Sequence, residues 1–89
     1  MNALCGMIQI KFFVKQTDMD GWCIADAGTL QVEKWDAYTL FRKMHEQMEG
    51  WDGCGVSKKE FNEMYEVQKM GDVMVMMDTD GTEELVFVK

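Results

Sequence analysis

The groups in this chain that could do chemistry are sixteen carboxylates, three cysteines, one histidine and one serine. A catalytic nucleophile needs a neighbouring base and a third group that orients the base. Ser57 opens the run Ser57-Lys58-Lys59-Glu60, a capping box that commits its hydroxyl to the start of a helix. Cys54 lies in the glycine-rich stretch Gly50–Gly55, close to that helix start, where a thiol is easily ionised. His45 is nine residues away, and no third group orients the pair. Sixteen acids give too many pairings to single out an acid–base couple. No catalytic residue is assigned, and an enzyme is not expected.

Metal and cofactor chemistry fare no better. Asp18-Met19-Asp20-Gly21 and Asp78-Thr79-Asp80-Gly81 copy part of a calcium loop. Aligning each glycine to the sixth loop position puts Gln16 or Met76 first and Ala27 or Phe87 twelfth, so both end ligands are missing. Hairpin turns explain these residues better. Met70, Met74, Met76 and Met77, with Met44, His45 and Cys54, offer soft ligands for copper, but without diagnostic spacing. Met74 and Met76 share one face of a strand and Met77 lies on the other, which suits a strand buried on both sides. Gly50–Ser57 has the Gly and Ser positions of a phosphate-binding loop, yet Val56 replaces the lysine and Asp52 repels phosphate. Neither a cofactor nor a metal is expected. An anion or nucleotide at the Gly50–Gly55 loop is kept as an alternative, with Lys58, Lys59 and the following helix start as its attraction.

The elements that must position these groups follow from periodicity. In residues 7–16, Ile8, Ile10, Phe12 and Val14 alternate with polar residues, the mark of a strand with one buried face. Thr17–Gly21 turns the chain, residues 22–27 return, Gly28 breaks the return strand, and Leu30 and Val32 continue it. Ala37, Leu40, Phe41, Met44 and Met48 then form a helical stripe behind the N-cap Asp36, ended by Gly50. A second helix follows Ser57, with Phe61, Met64, Tyr65 and Gln68 on one face and Gly71 as its stop. Residues 72–78 and 83–89 make a last hairpin around Thr79–Thr82. The expected fold is a small α+β domain of order β-β-α-α-β-β, an antiparallel sheet of about four strands with two helices on one face. Residues 1–6 read as a loose tail and residues 7–89 as one domain.

Composition narrows the setting. The chain has 89 residues, 47% of them hydrophobic, which is ample for a core. No apolar run reaches the ~18 residues of a membrane helix, and the N-terminus lacks a basic, apolar leader. Three widely spaced cysteines, Cys5, Cys23 and Cys54, do not form a disulfide framework, so a cytoplasmic setting is expected.

Charge is the feature that stands out. The formal net charge is −7. Residues 1–43 hold five acids and five bases, whereas residues 44–89 hold eleven acids and four bases, so the imbalance lies in the second half. That balance argues against direct contact with nucleic acid or an anionic membrane and for steering toward a basic protein. The residues expected to bind such a partner are Glu46, Glu49, Asp52, Glu63, Glu66, Asp78, Asp80, Glu83 and Glu84, with Trp51 as an aromatic anchor.

In size, acidity and lack of catalytic residues, the chain resembles small phage-encoded inhibitors such as anti-CRISPR and anti-restriction proteins. The resemblance covers general properties and no matched positions. It implies an inhibitor that occupies the nucleic-acid-binding surface of a larger protein, acting as a DNA mimic. A structural or assembly module that forms a homodimer or larger homo-oligomer is the alternative.

Overall fold

The computed structural model describes residues 7–48 and 55–89. Five strands and two helices follow in the order β1 (Ile8–Asp18), β2 (Gly21–Val32), α1 (Ala37–Gln47), α2 (Lys58–Met64), β3 (Tyr65–Met70), β4 (Val73–Asp78) and β5 (Glu83–Val88). All strands join one antiparallel sheet in the spatial order β2-β1-β5-β4-β3. The last strand therefore inserts beside the first, which closes the two hairpins into a single sheet.

One side of the sheet is covered and forms the core. Ile10, Phe12 and Val14 from β1, Leu30 and Val32 from β2, Met74 and Met76 from β4, and Leu85 and Phe87 from β5 are buried there. Leu40, Phe41 and Met44 of α1 and Phe61 of α2 close over them, with Tyr65 from β3. The rings of Phe41, Phe61 and Tyr65 pack with centroids 4.9–5.6 Å apart. Both helix starts are capped as their sequences require. The Thr39 amide and hydroxyl donate to Asp36 Oδ2 at 3.0 and 2.8 Å. The Glu60 amide donates to Ser57 Oγ at 3.1 Å, and the Ser57 amide to Glu60 Oε1 at 3.3 Å.

The structure corrects the sequence reading at four points. First, the sheet has five strands, not about four, so the order is β-β-α-α-β-β-β. The second helix stops at Met64, and Tyr65–Met70 is a strand paired with β4. Tyr65 and Val67 lie on the helix-covered side, and Glu66, Gln68 and Met70 on the other. Second, Gly71 is no helix stop but the first residue of the two-residue turn Gly71-Asp72, with φ of +61°. Third, Gly28 does not break β2. It lies opposite Phe12, and a Cβ there would come within 2.8 Å of the Phe12 ring. The glycine is a recess for a core aromatic. Fourth, β4 is buried on one side only: Met74 and Met76 face the core, whereas Val73, Val75 and Met77 are half-buried on the uncovered side. The expected helix end at Gly50 and tail at residues 1–6 lie outside the described residues.

The β1–β2 hairpin runs past the rest of the sheet. Its residues from Trp22 to Ala27 are exposed on both faces, because no helix reaches them. It contributes to a molecule 50 Å long and about half as wide.

Candidate protein-binding surface

The acids assigned to binding are sorted by the sheet. Asp78, Asp80, Glu83 and Glu84 cluster around the β4–β5 turn, because the two strands pair from Met77↔Glu84 onward. Glu66 joins them through its pairing with Met77, and Glu63 through the C-terminal end of α2. The Thr79 amide donates to Met64 O at 3.0 Å and ties that helix end to the turn. Six of the ten assigned residues therefore share one end of the molecule. Glu46 does not join them. It lies on the outer side of α1 and lines shallow, open clefts with Lys43. Glu49, Trp51 and Asp52 lie outside the described residues.

The sheet adds two acids that the charge count by sequence halves passes over. β5 pairs with β1 as far as Gln16↔Glu83, and the Thr17 amide donates to Thr82 O at 3.0 Å. The β1–β2 turn, with Asp18 and Asp20, is thereby brought to the same end. Only the strand order could reveal this, because Asp18 and Asp80 are far apart in sequence. On the strands of this end Lys15 is the one cation among the described residues. Lys59 stands one turn behind Glu63 on α2.

Some of these carboxylates hold the fold together. Asp78 Oδ1 accepts from the Thr82 and Glu83 amides at 2.9 and 3.2 Å, and Oδ2 from the Thr82 hydroxyl at 3.1 Å. Glu83 accepts from the Tyr65 hydroxyl at 2.9 Å and from Gln16 Nε2 at 3.3 Å. Burial, then the charge and hydrogen bond of Glu83, then Asp78, push the Tyr65 phenol well above its ordinary range. Glu84 is paired with Lys15 at 3.1 Å. Asp18 Oδ1 accepts from the Asp20 amide at 2.8 Å, closing the hairpin tip. Asp20, Glu63, Glu66 and Asp80 are exposed.

Large apolar side chains stand beside this charge. Met19 at the hairpin tip is fully exposed, and Ile24 and Trp22 are 62% and 46% exposed. Lys15 Nζ lies 5.7 Å from the Trp22 ring centre, so the lysine bridges Glu84 and the tryptophan. Trp51 is the aromatic the sequence favoured as an anchor, whereas Trp22 is the one whose position beside the acids is described.

The opposite end of the sheet mixes lysines with acids, because Glu33 and Asp72 stand there beside Lys11, Lys34, Lys69 and Lys89. Lys11 is opposite Val88, Lys69 opposite Met74, and the Lys89 amide donates to Asp72 O at 2.9 Å. Lys89 Nζ lies 4.9 Å from the Trp35 ring centre. Lys34 and Lys58 face Asp36; burial raises that carboxyl, but its Thr39 hydrogen bonds and the two lysines outweigh this and hold it below its ordinary value. The far end therefore lacks the excess of acids found around the β4–β5 and β1–β2 turns.

Among the described residues no group of three or more His, Cys, Asp or Glu is placed to hold a metal. Both calcium-like segments are hairpin turns between strands. Cys23 is exposed on the hairpin, while Cys5 and Cys54 lie outside the described residues. The Gly50–Gly55 anion loop also lies outside them except for Gly55. Among the described residues no helix is long and apolar enough to cross a membrane. Comparison with protein-family models, with curated proteins and with solved structures finds nothing that matches the chain.

Proposed function

We propose that this chain is a non-catalytic binding protein that presents the acidic end of its sheet to a basic surface of a larger protein. The observation that supports the reading is the concentration of Asp18, Asp20, Glu63, Glu66, Asp78, Asp80, Glu83 and Glu84 at one end, beside exposed Met19, Trp22 and Ile24. Carboxylates steer a basic partner and set orientation, while desolvated apolar and aromatic side chains supply the larger share of affinity. The partner that best fits such a field is a nucleic-acid-binding protein, whose lysines and arginines are arranged for phosphates. The chain then acts as an inhibitor of the DNA-mimic type, in the manner of phage counter-defence proteins, within the cytoplasm.

Affinity capture on the immobilised chain, eluted with a rising salt gradient, tests the reading when combined with one variant. Asp20→Lys, Glu63→Lys and Asp80→Lys together reverse three exposed acids that make no contact needed by the fold. The expected result is a basic protein released at moderate salt by the wild type and not retained by the variant. A partner retained equally by both proteins would sink the electrostatic reading. Binding should also be displaced by duplex DNA, because both ligands then use the same cations.

A further inference from the structure

We infer that the cleft between Glu66 and Glu84, on the uncovered face of the sheet, is the seat of one arginine side chain of the protein partner. The cleft has a volume of about 160 Å³ and is lined by Glu66, Gln68, Val75, Met77 and Glu84. The strand pairings explain its shape. Glu66 on β3 lies opposite Met77 on β4, and Met77 lies opposite Glu84 on β5. The two glutamates therefore flank one methionine in a row across the sheet. Gln68 and Val75 face each other in the next row and close the cleft on that side. Its walls carry carboxylates, and its floor is the half-buried pair Val75 and Met77.

Size, charge and floor each select the guest. Pockets for cofactors and other small molecules run from about 300 to 1,000 Å³, so this cleft admits one long side chain and little more. The row of Lys15, Glu84, Met77 and Glu66 holds one cation and two carboxylates. Lys15 reaches Glu84 Oε1 at 3.1 Å from the β1 side, outside the cleft, and Glu66 is exposed. One further positive charge between the glutamates balances the row, whereas an anion would meet two like charges. The apolar floor requires that this charge arrive on a hydrocarbon stem, since a hydrated ion gains nothing by covering Val75 and Met77.

Lysine and arginine both carry such a stem, and the width of the cleft separates them. Glu66 and Glu84 stand two strand spacings apart, about 10 Å at the backbone. An ammonium is a compact, strongly hydrated point charge that serves one wall at a time. A guanidinium is planar, holds five donors in a fixed fork and can reach both walls at once. The inference rests on the acidic-end reading, because Glu66 and Glu84 belong to that surface, and it names one contact within it. The partner then projects an arginine from its basic surface, the residue type best suited to gripping phosphate as well as carboxylate.

NMR titration with the blocked tripeptide acetyl-Gly-Arg-Gly-amide tests the seat on the purified chain alone. The expected result is a saturable movement of the Met77 and Val75 methyl signals, with a dissociation constant in the millimolar range. The citrulline tripeptide has the same shape without the charge and should leave those signals in place at matched ionic strength. The lysine tripeptide should bind more weakly than the arginine one. Glu66→Gln changes an exposed side chain and should weaken the arginine tripeptide about tenfold. Gln68→Lys, also at an exposed position, supplies the cleft with the chain's own ammonium and should block it. Equal movement with citrulline, no movement up to about 50 mM arginine tripeptide, or binding untouched by both variants would overturn the inference. Those results leave the acidic-end reading standing, because the salt-gradient capture of a basic protein does not depend on them. A cleft that takes arginine in a chain that retains no basic protein would instead sink the acidic-end reading and keep the arginine seat.

Discussion

Gly28 shows how much a single residue fixes. Its missing side chain is the space that the Phe12 ring occupies, with two ring carbons 2.8 Å from where a Cβ would stand. Phe12 is only 2% exposed and has nowhere to retreat. Gly28→Ala should therefore destabilise the protein by about 1–3 kcal/mol, the range for an overpacked core. Urea unfolding checks this, and Phe12→Leu in the same chain should recover part of the loss. His45 is the second such residue. It is buried against Phe41, with ring centroids 4.2 Å apart. Burial pushes its pKa below the ordinary 6.5, against an opposing pull from Glu83. The folded state favours neutral imidazole, whereas the unfolded chain takes up a proton as the pH falls below 6.5. The contribution is complete above that pH and shrinks below it. Thermal melts of the wild type and His45→Leu, compared between about pH 5 and pH 7.5, should diverge in this sense, the wild type losing more on the acid side. Curves that stay parallel would contradict it.

The elements divide into those that local chemistry specifies and those that it does not. β1, the last hairpin, α1 and both helix caps were legible, because alternation, the stripe from Leu40 to Met44 and the capping box each carry a local physical requirement. β3 was not. Glu66, Gln68, Lys69 and Met70 are good helix formers, and Phe61, Met64, Tyr65 and Gln68 have helical spacing. Pairing with β4 overrides that preference, because Tyr65↔Asp78 through Met70↔Val73 satisfies a backbone edge that β4 would otherwise leave open. The turn Gly71-Asp72 enforces it, since a glycine at φ +61° reverses the chain within two residues. Gly71→Ala should cost about 1 kcal/mol, and hydrogen exchange should show the loss first in β3 and β4. An equal loss of protection over the whole sheet would assign the turn a global role instead. The candidate surface was legible to the same degree. Six acids of the second half were found from charge alone, whereas Asp18, Asp20 and Trp22 required knowing that β5 lies against β1.

At the scale of the molecule, the acidic end adjoins the uncovered sheet face, and Glu66, Glu84, Trp22 and Ile24 belong to both. The acidic end is a long-range field, weakened by salt and sensitive to charge reversal. The uncovered sheet face is short-range and apolar, and it responds to the area it buries. Both surfaces exist because the helices cover only one side of the sheet and stop short of Trp22–Ala27 in the outer part of the hairpin.

The core of that covered side includes three thioethers among its aromatic and aliphatic side chains. Met44, Met74 and Met76 have no exposed surface, whereas Met19 is fully exposed and Met70 is 59% exposed. A thioether oxidised to its sulfoxide becomes polar and no longer suits an apolar interior. Peroxide thus reaches the hairpin tip and the β3–β4 turn first, where the added oxygen meets water. The interior sulfurs are reached only when the chain opens, and each sulfoxide formed there hinders the chain from closing again. Oxidative damage to this protein is therefore graded at first and becomes self-reinforcing once the fold is breached, with methionine sulfoxide reduction as the route back.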